Sequence, residues 1–302
     1  MDEIDLRLIQ ILKNDPRASF REIAEELDIP IQAAHRRLQN LLEQKIILGF
    51  AANISIRYVR AVKVFMIGRF YRGSKEEIAE ALKENETISD LLFGSQATLY
   101  VSCVLRNISD LEGTIDFVKK NATLTELQVG IEPMQYDIVK PKGSKSPPAL
   151  SQLDRKIIAS LFLDCRKPIA DIANELKVTA STVNQRLDKL IEEGALEFTL
   201  ILHHGHMGDT VALLKIFLNE GAEKGKAMMD IERKHGIKVD DFKTFDNIPD
   251  MIMCNSWTKS KRDLEMLIEE IQSEPFMKSV VPDIIIAGRH FPTWRERMSA
   301  FP

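Results

Sequence analysis

The stretch DPRASFREIAEELDIPIQAAHRRLQNLLEQKII, residues 15–47, decides the fold of this 302-residue chain. A second stretch, DCRKPIADIANELKVTASTVNQRLDKLIEEGAL, begins at Asp164, 149 residues after Asp15, and aligns with the first without a gap. Ten positions carry the same residue in both stretches, among them Arg37 and Arg186. Internal repetition fixes the architecture before any local prediction is made. The chain is therefore a duplication.

Each copy predicts three short helices followed by a short β-wing. Apolar residues at helical spacing predict helices over residues 2–14 and 20–27, and a third helix that opens at Pro30. The apolar, β-branched run at 46–56 predicts the wing. From residue 151 onward the second copy repeats this layout.

Behind each helical unit the pattern changes to strands and helices in the order βαββαβ, the ferredoxin-like arrangement. The first half predicts these six elements at residues 61–70, 74–85, 88–93, 98–106, 109–121 and 124–134. The second half predicts them at 211–219, 223–235, 238–245, 251–257, 261–273 and 279–287. The fold class is thus α+β, with two tandem repeats that each join a winged helix-turn-helix to a ferredoxin-like domain.

Five segments follow from these patterns. The stretch KPKGSKSPP is basic and rich in proline, glycine and serine, so it predicts a linker rather than part of a core. The predicted boundaries are 1–56 for the first winged helix-turn-helix, 57–139 for the first αβ domain, 140–149 for the linker, 150–205 for the second winged helix-turn-helix and 206–302 for the second αβ domain.

Composition indicates a globular protein, with 44% hydrophobic and 28% charged residues. The net charge of −4 carries little weight, because only a local patch must be positive to meet phosphates. The acidic N-terminus is unlike a signal peptide, and no apolar run approaches the roughly 20 residues of a membrane span. We expect a cytoplasmic protein that contacts no membrane and needs no cofactor.

The third helix of each copy presents polar side chains on its outer side. A helix of this kind can enter the DNA major groove, where arginine pairs with phosphate or guanine and asparagine or glutamine with adenine. The predicted DNA-binding residues are Gln32, Ala33, His35, Arg36, Arg37, Gln39 and Asn40 in the first copy and Ser181, Thr182, Asn184, Gln185, Arg186 and Lys189 in the second. The alternative for such a domain is protein interaction without DNA.

The first half resembles the Lrp/AsnC (feast/famine) family of prokaryotic transcription regulators. Three motifs carry the resemblance: ID-x-x-L-I-x-x-L at residues 4–12, D-x-R-x-S-x-x-E-I-A at 15–24 and A-H-R-R-L-x-x-L at 34–41. The resemblance implies a winged helix-turn-helix joined to a βαββαβ ligand-sensing domain. It also implies double-stranded DNA as a partner and homo-oligomers formed through the αβ domains.

The two copies depart from the family pattern in different ways. The family usually opens its third helix with serine or threonine; Thr179 fits, whereas Pro30 stands in the first copy. The family glycine after this helix is kept at Gly194 and replaced by Lys45.

The second recognition helix is also less basic than the first. It carries Asn184 and Gln185 where the first carries His35 and Arg36. We therefore expect the first helix, through Arg36 and its neighbour Arg37, to make the stronger DNA contacts. The second would bind more weakly or read a different half-site.

The resemblance also implies a small-molecule effector near a Gly-x-x-Asp turn ahead of the third strand of the αβ domain. The first copy lacks the acidic residue there and the second lacks the glycine. A free amino acid needs both a carboxylate and backbone N–H donors, and neither copy offers the whole set. The candidate effector-binding residues are Gly94, Gln96, Thr98, Asn247 and Asp250. Dimerisation is the alternative role of these domains.

Three functions compete. The first is a non-enzymatic transcription regulator whose single chain mimics a dimer and meets half-sites one helical turn apart, or whose two chains make a pseudo-tetramer. The second is an enzyme, because siroheme decarboxylases resemble this family in fold. The third is an adaptor that has lost DNA binding.

The sequence offers no clear metal site. The cluster His203, His204 and His206 lacks supporting metal ligands and predicts a solvated turn, and the three cysteines have no metal-ligand spacing.

Overall fold

The repeated stretch forms the same three-helix arrangement twice in the computed structural model, which describes residues 1–133, 149–202 and 210–300. The elements of the first half are α1 (Glu3–Asn14), α2 (Phe20–Leu27), α3 (Ile31–Glu43), β1 (Ile47–Ile54), α4 (Ile56–Val59), β2 (Val62–Phe70), α5 (Lys75–Leu82), β3 (Ile88–Gly94), β4 (Thr98–Leu105), α6 (Leu111–Ala122) and β5 (Leu124–Ile131). Those of the second half are α7 (Gln152–Leu161), α8 (Ile169–Leu176), α9 (Ala180–Glu192), β6 (Leu196–Leu202), β7 (Thr210–Leu218), α10 (Lys224–His235), β8 (Val239–Phe245), β9 (Ile248–Thr258), α11 (Lys261–Gln272), β10 (Met277–His290) and α12 (Trp294–Ala300).

We call α1 to α4 with β1 the first helical domain, and α7 to α9 with β6 the second. Their cores use apolar residues at aligned positions, each at most 5% exposed. These residues are Leu8, Leu12, Ile23, Ala34 and Leu38 in the first domain and Ile157, Leu161, Ile172, Val183 and Leu187 in the second. Burying each large apolar side chain contributes about 1.5–3 kcal/mol, so this shared apolar face explains why both copies adopt one arrangement.

The local caps of α2 also follow from the sequence. Ser19 and Glu22 form the predicted capping box. Asp28 ends α2 in the left-handed conformation, with φ of 52°, and its aligned counterpart Lys177 ends α8 in the same way, with φ of 55°. Pro30 lies one position before α3 and caps it without a side-chain hydrogen bond, so the helix begins one residue later than predicted.

The strands at the predicted wing positions pair between the two copies. Within the described residues, each helical domain has one strand after its third helix, and β1 pairs antiparallel with β6 from Ile47 opposite Leu202 to Ile54 opposite Leu196. Each copy thus contributes one strand at the predicted place of the wing, and the described partner of that strand lies in the other copy. A single strand leaves a row of unpaired backbone groups, and here the other copy supplies their partners.

The described chain divides into two compact units. The helical unit contains residues 4–62, 149–202 and 292–300, and the sheet unit contains residues 63–133 and 210–291 together with residues 1–3. The sequence grouped residues 206–302 as one αβ domain, but α12 packs against β1 and α7 of the helical unit. Trp294 at the start of this helix is 4% exposed, and burial of its large apolar side chain favours this packing.

The sheet unit contains two ferredoxin-like domains in one eight-stranded sheet. The strand order is β5-β2-β4-β3-β10-β7-β9-β8. In the order of each domain's own strands this is 4-1-3-2 twice, the arrangement that the βαββαβ pattern predicts. Antiparallel pairing of β3 with β10 joins the first αβ domain, β2 to β5, to the second, β7 to β10. In the second domain, α10 and α11 bury Ala227, Ile231 and Leu267 in a core with the apolar side chains of the strands.

Some predicted features lie outside the described residues. They are the linker at 140–149, apart from its last residue, and the histidine cluster at 203–206. Within the described ranges, none of the helices combines the length and apolar character that crossing a bilayer requires.

One aligned pair offers a direct test of backbone strain. Lys45 has φ of 55° and Gly194, 149 residues later, has φ of 62°. Glycine tolerates this left-handed conformation, whereas a residue with a Cβ is strained there by about 1 kcal/mol. We expect Lys45→Gly to raise the free energy of unfolding by about 0.5–1 kcal/mol in urea titrations. Gly194→Lys, the matched reverse change, should lower it by a similar amount, and equal stability of all three proteins would contradict the argument.

Candidate nucleic-acid interface

The outer side of α3 forms the candidate interface of the first helical domain. Gln32, His35, Arg36, Gln39 and Asn40 are exposed along it. The turn between α2 and α3 orients this helix, because the backbone N–H of the C-cap residue of α2 returns to carbonyls in its last turn. These five polar side chains are therefore free to face a groove, and none of them is acidic.

Two further predicted residues of α3 have other surroundings. Ala33 is half-buried. Arg37 is half-buried too, and its Nη1 lies 2.7 Å from Oδ1 of Asp5 on α1. This ion pair fixes α3 against α1, so the structure assigns Arg37 a scaffold contact in addition to any contact with phosphate.

The outer side of α9 is the aligned surface of the second helical domain. Ser181, Asn184, Gln185 and Lys189 are exposed on it, and the half-buried Thr182 belongs to the cap formed by Thr179. Lys189 Nζ lies 3.7 Å from Oε1 of Glu193 on the same helix. This surface is polar but carries less free positive charge than that of α3.

Arg186 of the second domain repeats the contact of Arg37. Its Nη1 lies 3.6 Å from Oδ1 of Asp154, and both residues stand 149 positions after the residues of the first pair. The sequence contained the signal for this role, since Asp5 and Asp154 align in the repeat together with the two arginines. An acidic and a basic residue that both occur at the same aligned positions in the two copies indicate an ion pair.

His35 has a neighbour that its aligned residue lacks. Its ring lies 4.8 Å from the ring of Phe20, and the guanidinium of Arg166 from the second domain lies 5.4 Å from the same ring. In the second copy Ile169 and Asn184 occupy these positions, so no aromatic stack forms there. The first recognition helix is thus supported by a side chain from the other copy.

Two arginines join the helical domains reciprocally. Arg17 donates to the backbone oxygen of Cys165, and Arg166 donates to the backbone oxygen of Pro16 at 2.8 Å. Both donors and both acceptors are related by the 149-residue repeat. With the β1–β6 pairing, these contacts place the two domains about a local pseudo-two-fold axis.

The C-terminal helix adds an asymmetric contact to this pair. Arg295 Nη1 donates to Oε2 of Glu197 in β6 at 2.8 Å, while Oε1 of Glu197 accepts from the backbone N–H of Ile56 at 2.9 Å. Burial by itself would raise the pKa of Glu296, but Arg295 and hydrogen bonds from Thr293 outweigh it and hold this pKa below its usual value. The ionised network therefore ties residues of both copies to α12.

The candidate effector residues lie on two turns of the sheet unit. Gly94 ends β3, Gln96 accepts a hydrogen bond from Arg69 through its backbone oxygen at 3.4 Å, and Thr98 is buried at the start of β4. Asn247 and the exposed Asp250 lie on the β8–β9 turn and the strand that follows it. The side-chain amide of Asn247 is already engaged, donating to Val129 O and accepting from the backbone N–H of Ile131.

The cysteines do not form a reactive site. All three are buried, and burial raises the pKa of the Cys165 thiol to about 12, so the thiol stays protonated at neutral pH. In the described ranges, no group of three or more histidine, cysteine, aspartate or glutamate side chains is arranged to hold a metal ion.

Comparison with known proteins gives consistent results for the helical domains. A family model described as winged helix-turn-helix DNA-binding matches residues 1–47 and again residues 150–197. The HTH-type transcriptional regulator Ptr1 of Methanocaldococcus jannaschii is 38% identical over 92 residues, which are 30% of this chain and 62% of that protein. The chain thus spans a little under two thirds of that relative.

Two further comparisons extend beyond the helical domains. The HTH-type transcriptional regulator LrpA of Pyrococcus horikoshii is 32% identical over 129 residues, covering 40% of this chain and 92% of LrpA. The crystal structure of the siroheme decarboxylase NirDL covers 99% of this chain and 96% of its own, with a TM-score of 0.60 at 14% identity. The second match shows a shared fold. From the first, together with the twofold helix-turn-helix match, the chain belongs to the Lrp/AsnC family of transcriptional regulators.

Proposed function

We propose that this chain regulates transcription by binding double-stranded DNA in a sequence-specific manner, with both DNA-reading helices supplied by one polypeptide. The observation that carries the proposal is the pairing of two helix-turn-helix domains about a local pseudo-two-fold axis, which the β1–β6 strands and the reciprocal arginines hold. Such pairs meet two half-sites about one helical turn apart. The proposal places the protein on the nucleoid in the cytoplasm.

The exposed side chains of α3 suit different contacts, some to phosphate and some to bases. Arg36 is the strongest candidate, since a guanidinium pairs with phosphate or with O6 and N7 of guanine. Gln32, Gln39 and Asn40 carry amides, which can bond the edge of adenine or the sugar–phosphate backbone. Arg37 is held by Asp5 and would support α3 first and approach phosphate second.

The α9 helix would read a different half-site. Gln185 and Asn184 occupy the positions of Arg36 and His35, and Asp188 stands where the first copy has Gln39. The acidic side chain is exposed and would repel phosphate, so α9 would contribute less affinity than α3. A binding site with two unequal halves follows from this difference.

The first test addresses Arg36. Arg36→Ala should reduce the slope of log K against log salt concentration by about 0.9, because one phosphate contact releases about that many counterions per duplex. If the guanidinium also donates hydrogen bonds to a guanine, Arg36→Ala should weaken binding to the selected site by about 1–3 kcal/mol and should relax the preference for guanine at that position. Binding should be measured by gel shift and fluorescence anisotropy across a salt series.

The matched control is Arg233→Ala, which removes one exposed positive charge from α10 of the sheet unit. We expect it to leave the salt slope unchanged. Arg37→Ala provides the contrast within α3, because it should lower the unfolding midpoint as well as the affinity. Identical binding by the wild type and Arg36→Ala would show that the first helix does not contact DNA.

The second test addresses the coupling of the two helical domains. Replacing both Arg17 and Arg166 by alanine removes the reciprocal bonds and the contact of Arg166 with the Phe20 ring beside α3, while α9 loses no contact described above. A looser pair loses preorganisation, so affinity for a two-half-site duplex should fall by about 10-fold, or ~1.4 kcal/mol. Affinity for a duplex that carries only the half-site of α9 should change little. Equal losses on both duplexes would indicate instead that the arginines touch DNA or maintain the fold.

A second candidate function follows from the whole-chain fold match to NirDL, a siroheme decarboxylase whose structure has also been solved with an iron-uroporphyrin III analogue. The sheet unit argues against a polyanionic tetrapyrrole. Burial alone would lower the pKa of Lys243, but Asp241, Glu132 and Asp90 hold it above its usual value. His290 also lies 2.7 Å from Oδ1 of Asp90, so these bases already face carboxylates.

The third test separates these functions. Iron-uroporphyrin III is added to the protein while the absorbance of its Soret band is followed. We expect no saturable shift at micromolar concentrations, because Lys243 and His290 of the sheet unit are already paired with carboxylates. A saturable one-to-one shift, together with loss of a carboxyl group when siroheme is supplied in a parallel incubation, would establish the enzyme and displace the regulator.

A further inference from the structure

The first and second αβ domains meet twice, and both junctions use the same backbone hydrogen bond. At one junction the N–H of Ser95 donates to Ile284 O at 2.8 Å. At the other the N–H of Asp246 donates to Ile131 O at 2.9 Å. Each donor follows the last residue of a seven-residue strand, β3 or β8, and each acceptor is the eighth residue of a strand, β10 or β5. The two junctions are therefore equivalent under the internal duplication.

At the first junction the neighbouring residues enclose the carboxylate of one aspartate closely. Asp283, the seventh residue of β10, is 4% exposed and accepts hydrogen bonds from Ser95 N at 2.9 Å, Ser95 Oγ at 3.2 Å and Tyr100 Oη at 2.9 Å. Burial and the neighbouring Asp283 raise the pKa of Tyr100, so the phenol keeps its proton and donates. A Cβ at Gly94 would lie 2.5 Å from Cγ of Asp283, so only glycine leaves room for the carboxylate.

At the second junction a large side chain also faces a glycine, but the strand and the turn have exchanged these two residue types. Here the strand residue is Gly130, seventh in β5, and the residue that ends β8 is Phe245. A Cβ at Gly130 would lie 2.7 Å from Cγ of Phe245. The Phe245 ring is fully buried and lies 6.1 Å from that of Phe65. A large side chain again meets a glycine, but the glycine now belongs to the strand rather than to the turn.

We propose that these two junctions are a matched set of unlike contacts that admits the first αβ domain only against the second. If two second domains met, a phenylalanine would oppose Asp283 in the space that only a glycine leaves free. If two first domains met, a glycine would oppose a glycine, and both the buried carboxylate contacts and the aromatic packing would be lost. The partner that this interface fits is thus the complementary half of the same sequence.

The consequence for recognition rests on the proposed function. An assembly of unlike halves always brings one α3 and one α9 to the DNA in equal numbers. Because these helices differ at most outward positions, such an assembly would bind its unequal half-sites in one orientation.

Four single variants of the full chain recreate the like-with-like contacts inside the native protein. Gly94→Phe and Gly130→Asp place a phenylalanine opposite an aspartate, as two second domains would. Asp283→Gly and Phe245→Gly place a glycine opposite a glycine, as two first domains would. Thermal unfolding should show losses of roughly 2–12 °C for the first pair, through overpacking. The loss should be roughly 6–20 °C for Phe245→Gly, which deletes a buried ring, and roughly 2–12 °C for Asp283→Gly, which leaves buried donors unpaired.

Compensating variants keep the test decisive if an overpacked protein does not fold. Adding Asp283→Gly to Gly94→Phe recreates the phenylalanine–glycine contact of the other junction and should recover at least half of the lost midpoint. Adding Asp283→Gly to Gly94→Ala is a milder version with the same expected direction. Gly113→Ala is the matched control, since a Cβ there meets open space, and it should not lower the midpoint.

Either of two results would overturn the proposal. One is an unfolding midpoint of Gly94→Phe equal to that of the wild type. The other is an unfolding midpoint that does not rise when Asp283→Gly is added to Gly94→Phe or to Gly94→Ala. The measurement contains no DNA. Its outcome therefore stands whether or not the chain proves to be a transcription regulator.

Discussion

In the part of the chain that the structure describes, the strand after the third helix of each helical domain has no partner within its own copy. A strand with an open edge exposes N–H and C=O groups that must find hydrogen bonds elsewhere, so the domain is incomplete by itself. The antiparallel ladder of β1 and β6 meets this requirement, and the rest of the helical unit is arranged around it. Arg17 and Arg166 cross beside the ladder, and α12 packs on β1. The duplication places the required partner in the same polypeptide.

The two copies have kept what holds the domains together and changed what faces outward. The buried apolar positions and the ion pair of Arg37 with Asp5 recur 149 residues later. The exposed positions of the third helix differ almost everywhere, as at Arg36 and Gln185. Packing constrains a buried residue through all its neighbours, whereas an exposed residue is constrained only by what it binds. The pattern of change therefore indicates that the two surfaces have different targets.

Much of the fold could be predicted because local signals and duplication agreed. The boundaries of α2 and α8 follow from caps and apolar spacing, and the βαββαβ order follows from alternation between strand and helix patterns. Contacts between distant segments could not be predicted in the same way. Nothing local shows that β1 pairs with β6, that residues after Pro292 return to the helical unit, or that Asp283 fits over Gly94. The outward face of α3 was predictable, but the structural role of Arg37 required its aligned aspartate.

The return of α12 to the helical unit has a consequence for the order of events during synthesis. The helical unit is discontinuous in sequence, since the whole second αβ domain lies between β6 and α12. A ribosome makes the chain from its N-terminus, and segments can pack only after they emerge. Both helical domains can therefore form early and pair through β1 and β6, but Arg295 cannot reach Glu197 until the second αβ domain has also been made. During translation of the second αβ domain, the two helical domains are therefore paired without the contact between Arg295 and Glu197.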